Sequence, residues 1–281
     1  MTELTERAML VNLSISAWTG RKYDRNVSNV AEKQFDAHEA GRYNKLLIGK
    51  TNLKKIQTIV SEARNYHYFN TLPWSDDGPR ILTAANYFEY MEKMKHFKDE
   101  YEMRVGNFIE MYPQLKEDAK SRLNKMYSEG DYPGIEALKS KYRFSTQFIP
   151  IPRAKDFRVI LQDEEVNIIK EQIEEEVKES VNNAVRDLWK RLFKVVEHLL
   201  ERLDKSENKF KDSLINNIKE VCKVLPKLNI TNDPRLEEAV NEIKEKLTTH
   251  TPQTLREDMG VRNKTVKDAQ NILNKMRQYA I

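Results

Sequence analysis

Several groups of residues carry side chains of the kinds that catalyse or bind, and each implies its own chemistry. Tyr66-His67-Tyr68 precedes Trp74, Asp76 and Asp77. An imidazole near paired carboxylates is the composition of a hydrolase site, in which protons or a metal ion are handled. No substrate or reaction follows from this cluster. Glu92, His96 and Glu100 fall at i, i+4 and i+8. One helical face then holds them, which suits a metal ion only if a further ligand arrives from elsewhere, and otherwise makes a hydrated surface of ordinary side-chain pairs. Glu242-Ile243-Lys244, with Asp233 upstream, matches the acid–x–lysine end of a metal-dependent nuclease. That chemistry needs its carboxylates on adjacent strands, whereas this segment reads as helical and Asp233 as a helix cap. Cys222 is the single cysteine and sits beside Val221 and Leu225, where a thiol behaves as a small hydrophobe. It excludes a disulfide framework or a cysteine-based zinc site within one chain. There is no Gly-x-Ser-x-Gly elbow, Walker A loop or dinucleotide fingerprint. No catalytic residue, metal site or cofactor is assigned.

The amino-terminal third is more suggestive. Residues 18–90 hold 11 of the 25 aromatic residues: Trp18, Tyr23, Phe35, Tyr43, Tyr66, Tyr68, Phe69, Trp74, Tyr87, Phe88 and Tyr90. They alternate with Arg21, Lys22, Arg25, Arg42, Lys45, Arg64 and Arg80. Cations that track phosphates, interleaved with rings on which bases stack, are what single-strand binders use. The candidate nucleic-acid-binding residues are Arg21, Lys22, Arg42, Tyr43, Arg64 and Trp74. The same composition also builds a compact aromatic core with arginine stacked at its rim, and both arrangements stay open.

Charge distribution bears on the choice more than bulk charge does. The 281 residues carry 48 Lys/Arg against 44 Asp/Glu, too near balance to identify a nucleic-acid binder. Residues 20–65 hold ten basic against five acidic residues, and residues 141–158 five against one. Residues 163–179 hold eight acids against Lys170 and Lys178. Such blocks usually form solvated surfaces. The amino terminus is acidic and lacks an apolar stretch, so no secretory leader or membrane span is expected, and the expected location is the cytoplasm of whichever cell makes the chain.

Stepping from side chains to the elements that must hold them, residues 11–15 alternate as a strand. Residues 27–35 and 45–63 read as helices, and residues 72–79 as a loop broken by two prolines and an Asp-Gly step. A helix from 84 to about 112 is interrupted by Pro113, which opens a further helix to 127. Residues 142–152 and 157–161 read as strands, with Pro150 and Pro152 placing the first at a sheet edge. The clearest signal is the stripe Val166, Ile169, Ile173, Val177, Val181, Ala184, Leu188, Leu192, Val195, Leu199 and Leu203, with no glycine or proline between. Its mean step of about 3.7 residues describes one helix of roughly 60 Å at 1.5 Å per residue, suited to a straight antiparallel bundle. Its expected neighbour is the 84–127 segment. Shorter helices follow, including two that open with Asp233-Pro234 and Thr251-Pro252.

The expected fold is mainly α with a small β element: a long antiparallel helical hairpin, short helices and a two- to three-stranded sheet. The expected division is a basic and aromatic head at 1–83, the hairpin at 84–207 interrupted by the strand segment 142–161, and a short-helix bundle at 208–281.

Trp18-Thr19-Gly20-Arg21-Lys22-Tyr23-Asp24, Gly41-Arg42-Tyr43-Asn44-Lys45, Arg64-Asn65-Tyr66-His67-Tyr68, Thr71-Leu72-Pro73-Trp74-Ser75-Asp76-Asp77-Gly78 and Ala84-Ala85-Asn86-Tyr87 resemble an uncharacterised protein family common in tailed bacteriophages. The resemblance continues through Asp156-Phe157-Arg158-Val159, Asp187-Leu188-Trp189 and Asp212-Ser213-Leu214. Members of that family are often encoded beside MoxR-type AAA+ ATPases and von Willebrand A-domain proteins related to cobaltochelatase subunits. The resemblance implies a phage accessory protein that works with such an ATPase, and it supplies no catalytic residues. Together with the residues, it leads to an expectation of a non-enzymatic adaptor or assembly component with a protein partner. A single-stranded nucleic-acid binder is the alternative, and a metal-dependent hydrolase around His67, Asp76 and Asp77 a further one.

Overall fold

After the short helix α1 (Thr2–Arg7), the amino-terminal alternation forms β1 (Ala8–Ser16), longer than its apolar core of 11–15 because both ends find partners. The structure, a computed structural model, describes residues 2–75, 78–159, 161–204 and 210–280. The chain continues through β2 (Arg21–Tyr23), α2 (Arg25–Gln34), β3 (Asn44–Leu46), α3 (Lys50–Phe69), β4 (Leu72–Pro73), β5 (Arg80–Thr83) and α4 (Tyr87–Leu123). It ends with α5 (Ile135–Lys139), β6 (Arg143–Ile149), α6 (Asp163–Asp204), α7 (Ser213–Leu228), α8 (Pro234–Leu247), α9 (Pro252–Glu257) and α10 (Met259–Ala280). The fold is mainly α with a small β element. No helix among the described residues is long and apolar enough to cross a membrane.

Several expectations need correction. The sheet has four strands, in the order β4-β5-β1-β6, and β2 and β3 form a separate pair. Strands of two to four residues are too short to show alternation, so the 72–79 segment reads as loop although Leu72 and Pro73 pair with Ile81 and Arg80. Lys45 belongs to β3, and the helix begins at Lys50 and runs past Ala63 to Phe69. Pro113 lies inside α4 rather than between two helices. An interior proline removes a hydrogen bond and costs about 3 kcal/mol, offset here by burial of Phe108, Tyr112 and Ala119 on either side. Ala154–Asp156 is a 3₁₀ turn and no strand follows over 157–159. Ile160, within the expected 157–161 strand, lies outside the described residues.

The contacts form two compact units, each drawn from separated segments. One comprises Met1–Asn12, Tyr68–Tyr90 and Gln147–Ile281, and the other Leu13–His67 and Met91–Thr146. Each unit is discontinuous along the chain, since β1, α3, α4 and β6 each run from one unit into the other.

In the first unit α6 is unbroken, as its periodicity requires. It packs chiefly on α10 and α7, with α8 against both of those helices. Trp189 stacks on Tyr279 at 4.7 Å, and the Arg262 guanidinium donates to the Leu203 carbonyl at 2.7 Å. One chain number falls as the other rises, so α6 and α10 run antiparallel. The antiparallel partner of the long helix is therefore α10; most of α4 belongs to the other unit. The reason lies in complementary faces: Leu188, Leu192, Val196 and Leu199 of α6 share one buried cluster with Ala269, Ile272, Leu273 and Met276 of α10. Asp233 caps α8 through the Arg235 amide, and Thr251 caps α9 through the Thr254 amide, as the Asp-Pro and Thr-Pro steps predict. β1 pairs antiparallel with β5 from Ala8↔Thr83 to Val11↔Arg80.

The carboxyl end of α3 lies in this unit and is closed by Arg191 of α6. Its guanidinium donates to the carbonyls of Tyr68 (3.1 Å), Phe69 (2.8 Å) and Thr71 (2.8 Å), and pairs with Asp187 at 2.7 Å. The last carbonyls of a helix lack intrahelical donors, and a side chain 122 to 123 residues away in sequence supplies them here. Arg80 donates to Thr71 and stacks over Tyr68 at 4.9 Å.

The second unit is built on α3 and α4. Tyr66 meets Phe97 edge-on at 5.7 Å and Arg104 donates to the Lys55 carbonyl, so these helices are also antiparallel. Trp18, Phe108, Tyr112 and Tyr142 form a ring cluster beneath them.

Candidate interaction surface

Between β1 and α3 the second unit sends out a β2–α2–β3 excursion, and its geometry starts at Gly20. That residue has φ +63°, and a Cβ there would lie 2.6 Å from Leu53 Cδ1. Only glycine takes this turn without strain or clash. The Leu47 amide donates to the Gly20 carbonyl at 2.8 Å, closing the neck of the excursion. β2 and β3 pair antiparallel in the register Arg21↔Leu46, Lys22↔Lys45 and Tyr23↔Asn44.

A polar network fixes the base. Asp24 caps α2 by accepting from the Val27 amide at 3.2 Å. Ser28, the buried residue of α2, donates to the Asp24 carbonyl and accepts from the Tyr43 amide, both at 3.0 Å. Lys45 is 5% exposed. Its ammonium reaches Asp131 at 2.7 Å, the Met126 carbonyl at 2.7 Å and Asp24 at 3.5 Å. Burial alone disfavours that charge, but the Asp131 hydrogen bond and both carboxylates outweigh it, and its pKa lies above the ordinary lysine value. Arg122 donates to the carbonyls of Leu46 and Leu47, and the Tyr132 hydroxyl donates to Leu47. The returning strand is thus held at both ends.

The outer side of the excursion faces water. Arg21, Lys22, Arg25, Arg42, Tyr23 and Tyr43 are exposed, and Arg42 stands over the Tyr23 ring at 5.7 Å. Val30 is 62% and Phe35 75% exposed. A ten-residue helix is too short to persist alone in water. α2 is held by its cap and by Ser28 while its apolar residues Val30 and Phe35 remain uncovered. Residues 21–44 carry five Lys/Arg against four Asp/Glu, so the excursion is mixed in charge rather than strongly cationic.

Of the six candidate residues, the structure brings Arg21, Lys22, Arg42 and Tyr43 together on this excursion. Arg64 is exposed on α3 and donates to the Ile15 carbonyl at 2.8 Å. Trp74 belongs to the other unit, half-buried against its core, with its carbonyl accepting from Ser180 at 3.0 Å. The aromatic residues of the amino-terminal third therefore divide. Tyr23, Phe35 and Tyr43 are exposed on the excursion, whereas Trp18 packs on Phe108 and Tyr112, and Tyr90 is fully buried. In the sequence Lys45 stands out only as one of the cations alternating with rings, and Asp131 and Ser28 carry no signal, because their meeting depends on a strand pair too short to mark itself.

The other constellations sit as follows. His67 is buried near the end of α3, while Asp76 and Asp77 lie outside the described residues. His96 and Glu100 are 3.9 Å apart on the surface of α4. Among the described residues no three His, Cys, Asp or Glu side chains converge as metal ligands. Glu242 is bound by Lys246 and Lys275, and burial pushes the Cys222 thiol up to about 11. No protein-family model, curated protein or solved structure matches the chain.

Proposed function

We propose that the chain is a non-enzymatic adaptor or assembly component that engages a protein partner through the β2–α2–β3 excursion. The observation that carries this reading is a helix fixed at its base, with the large apolar side chains of Val30 within it and Phe35 at its C-cap facing solvent. Exposed apolar side chains on an excursion that also exposes Arg21, Arg25, Arg42, Tyr23 and Tyr43 have the composition of an interface centre with a polar rim. The resemblance to the tailed-phage family makes a MoxR-type AAA+ ATPase the first partner to test. The full chain and a Val30→Asp/Phe35→Asp variant are compared as baits for that purified ATPase and for infected-cell extract. Both positions are exposed, so the variant keeps its circular dichroism and melting point. Recovery of the same partners at the same yield by both baits contradicts the reading.

A second reading, single-stranded nucleic-acid binding, draws on the Arg42–Tyr23 contact beside Arg21, Lys22 and Tyr43. It requires affinity that falls steeply with salt, and a loss of about 1–3 kcal/mol for each stacking ring removed. Anisotropy of labelled oligonucleotides at low salt decides it; no binding at micromolar protein removes it.

A further inference from the structure

The first unit carries a second surface that the excursion does not use. Over residues 163–176 of α6 no residue is buried, and the buried stripe begins only at Val177. Val166, Ile169 and Ile173 continue that stripe at helical spacing but remain half-exposed. Beside them opens a cavity of about 220 Å³, walled by Ile173, Val177 and Glu174 of α6, by Leu4 of α1 and by Pro152 and Ala154. Its lining is mostly apolar, with room for one or two aliphatic side chains. The turn on the far wall also presents Arg153, which donates to the Thr5 hydroxyl, and Lys155.

At 3.6 residues per turn, Asp163 and Glu174 border one side of this stripe, with Lys170 between them, and Glu165 and Glu176 border the other. Among the described residues none of the eight acids between 163 and 179 forms an ion pair. Glu171, Glu175 and Glu179 follow one another at i, i+4, a spacing at which like charges destabilise a helix. A half-open apolar stripe that runs into a cavity, edged by unpaired carboxylates, has the complement of an amphipathic helix with a cationic border. A second copy of this chain does not satisfy it, because two such faces brought together oppose acid to acid.

We propose that the amino-terminal half of α6, with the cavity against α1 and the 152–155 turn, is a docking groove for a basic amphipathic helix of another protein. One apolar side chain of that helix enters the cavity, and its lysines or arginines lie along Glu165, Glu174 and Glu176. The site is independent of the excursion, and either assignment stands without the other.

The test uses the full chain and a fluorescent 18-residue peptide with leucines at helical spacing and lysines elsewhere. A leucine/glutamate counterpart and a scrambled leucine/lysine peptide serve as controls. The expected result is saturable binding of the leucine/lysine helix alone, weakening as salt rises. Ile169→Asp with Ile173→Asp weakens it at least tenfold. Should that variant lose its fold by circular dichroism, Glu174→Lys with Glu176→Lys, both at exposed positions, weakens the lysine peptide and admits the glutamate peptide. Three results overturn the proposal: no binding, equal binding of the scrambled peptide, or binding indifferent to the charge reversal. Sedimentation showing a dimer that the Ile173 substitution dissolves also overturns it, because a second copy then occupies the groove.

Discussion

Replacing Lys45 by methionine keeps the aliphatic stem and removes the charge that clamps the excursion. The side chain is 6% exposed and makes one hydrogen bond to the Met126 carbonyl and ion pairs to Asp131 and Asp24. The carbonyl bond contributes about 1 kcal/mol. Breaking a buried pair while leaving its partner charged costs about 3–5 kcal/mol, and the two aspartates, 17% and 15% exposed, place this case near the lower end. The combined expectation is about 4 kcal/mol, a change of roughly a thousandfold in the local opening equilibrium. Hydrogen exchange followed by mass spectrometry reads it directly. The amides of Asp24, Ser28, Tyr43 and Leu47, all hydrogen-bonded at the base, should exchange about a thousandfold faster, while α6 and α10 are unchanged. Because the folded pKa of Lys45 is raised above 10.5, its contribution is fully present below the ordinary lysine value and is lost as pH rises past the raised one. The difference between wild type and variant should therefore be constant from neutral pH to about 9 and shrink only above the ordinary lysine range. Replacing both partners, Lys45→Met with Asp131→Leu, should recover part of the loss, since no uncompensated charge remains at that pair. Exchange altered by less than threefold in the single variant would refute the reasoning, because the network then contributes nothing to holding the excursion.

Arg191→Ala should lower the urea stability of the first unit by about 3 kcal/mol, since it withdraws a donor from the carbonyls of Tyr68, Phe69 and Thr71 and removes the partner of Asp187; lysine should not rescue it, lacking the planar fork, and full rescue by Arg191→Lys would contradict the capping role. Gly20→Ala should destabilise the second unit by about 2 kcal/mol or more, because a left-handed φ is combined with a Cβ 2.6 Å from Leu53 Cδ1; an unchanged denaturation midpoint would show that the neck adjusts freely. Burial raises the phenols of Tyr101 and Tyr112 to about 12, whereas in the unfolded chain they ionise near 10. Each contributes stability that is complete below about pH 10 and lost as pH climbs to about 12, so a phenolate absorbance titration should show a high-pH group that coincides with loss of circular dichroism. Ordinary titration of every tyrosine in a chain that is still folded would exclude this.

Much of the helical architecture was legible because it rests on local physics. The stripe from Val166 to Leu203 demanded one helix, and one helix forms. Asp233-Pro234 and Thr251-Pro252 announced their caps because a capping side chain reaches an amide two or three residues on. Arg21, Lys22, Arg42 and Tyr43 could be picked out by type, since exposed cations beside rings are visible as composition. That these four share one excursion, while Trp74 and Arg64 do not, was not written in their spacing.

What tertiary structure alone decided are the choices among partners far apart in the chain. The stripe of α6 states that it needs an apolar neighbour but not which one, and α10 rather than α4 meets it because its facing residues fill the same cluster. β2, β3, β4 and β5 exist through pairing, being too short for any alternation to mark them, and α4 continues through Pro113 because burial on both sides outweighs a missing hydrogen bond. Lys45 looks like any surface lysine until Asp24 and Asp131 surround it, and Arg191 like any helical arginine until the end of α3 arrives beneath it. Periodicity and capping depend on neighbours within a turn or two, so the amino-acid order determines them. Burial of a charge, and the uncovered side chains of α2, depend on which surfaces distant elements of the chain come to cover.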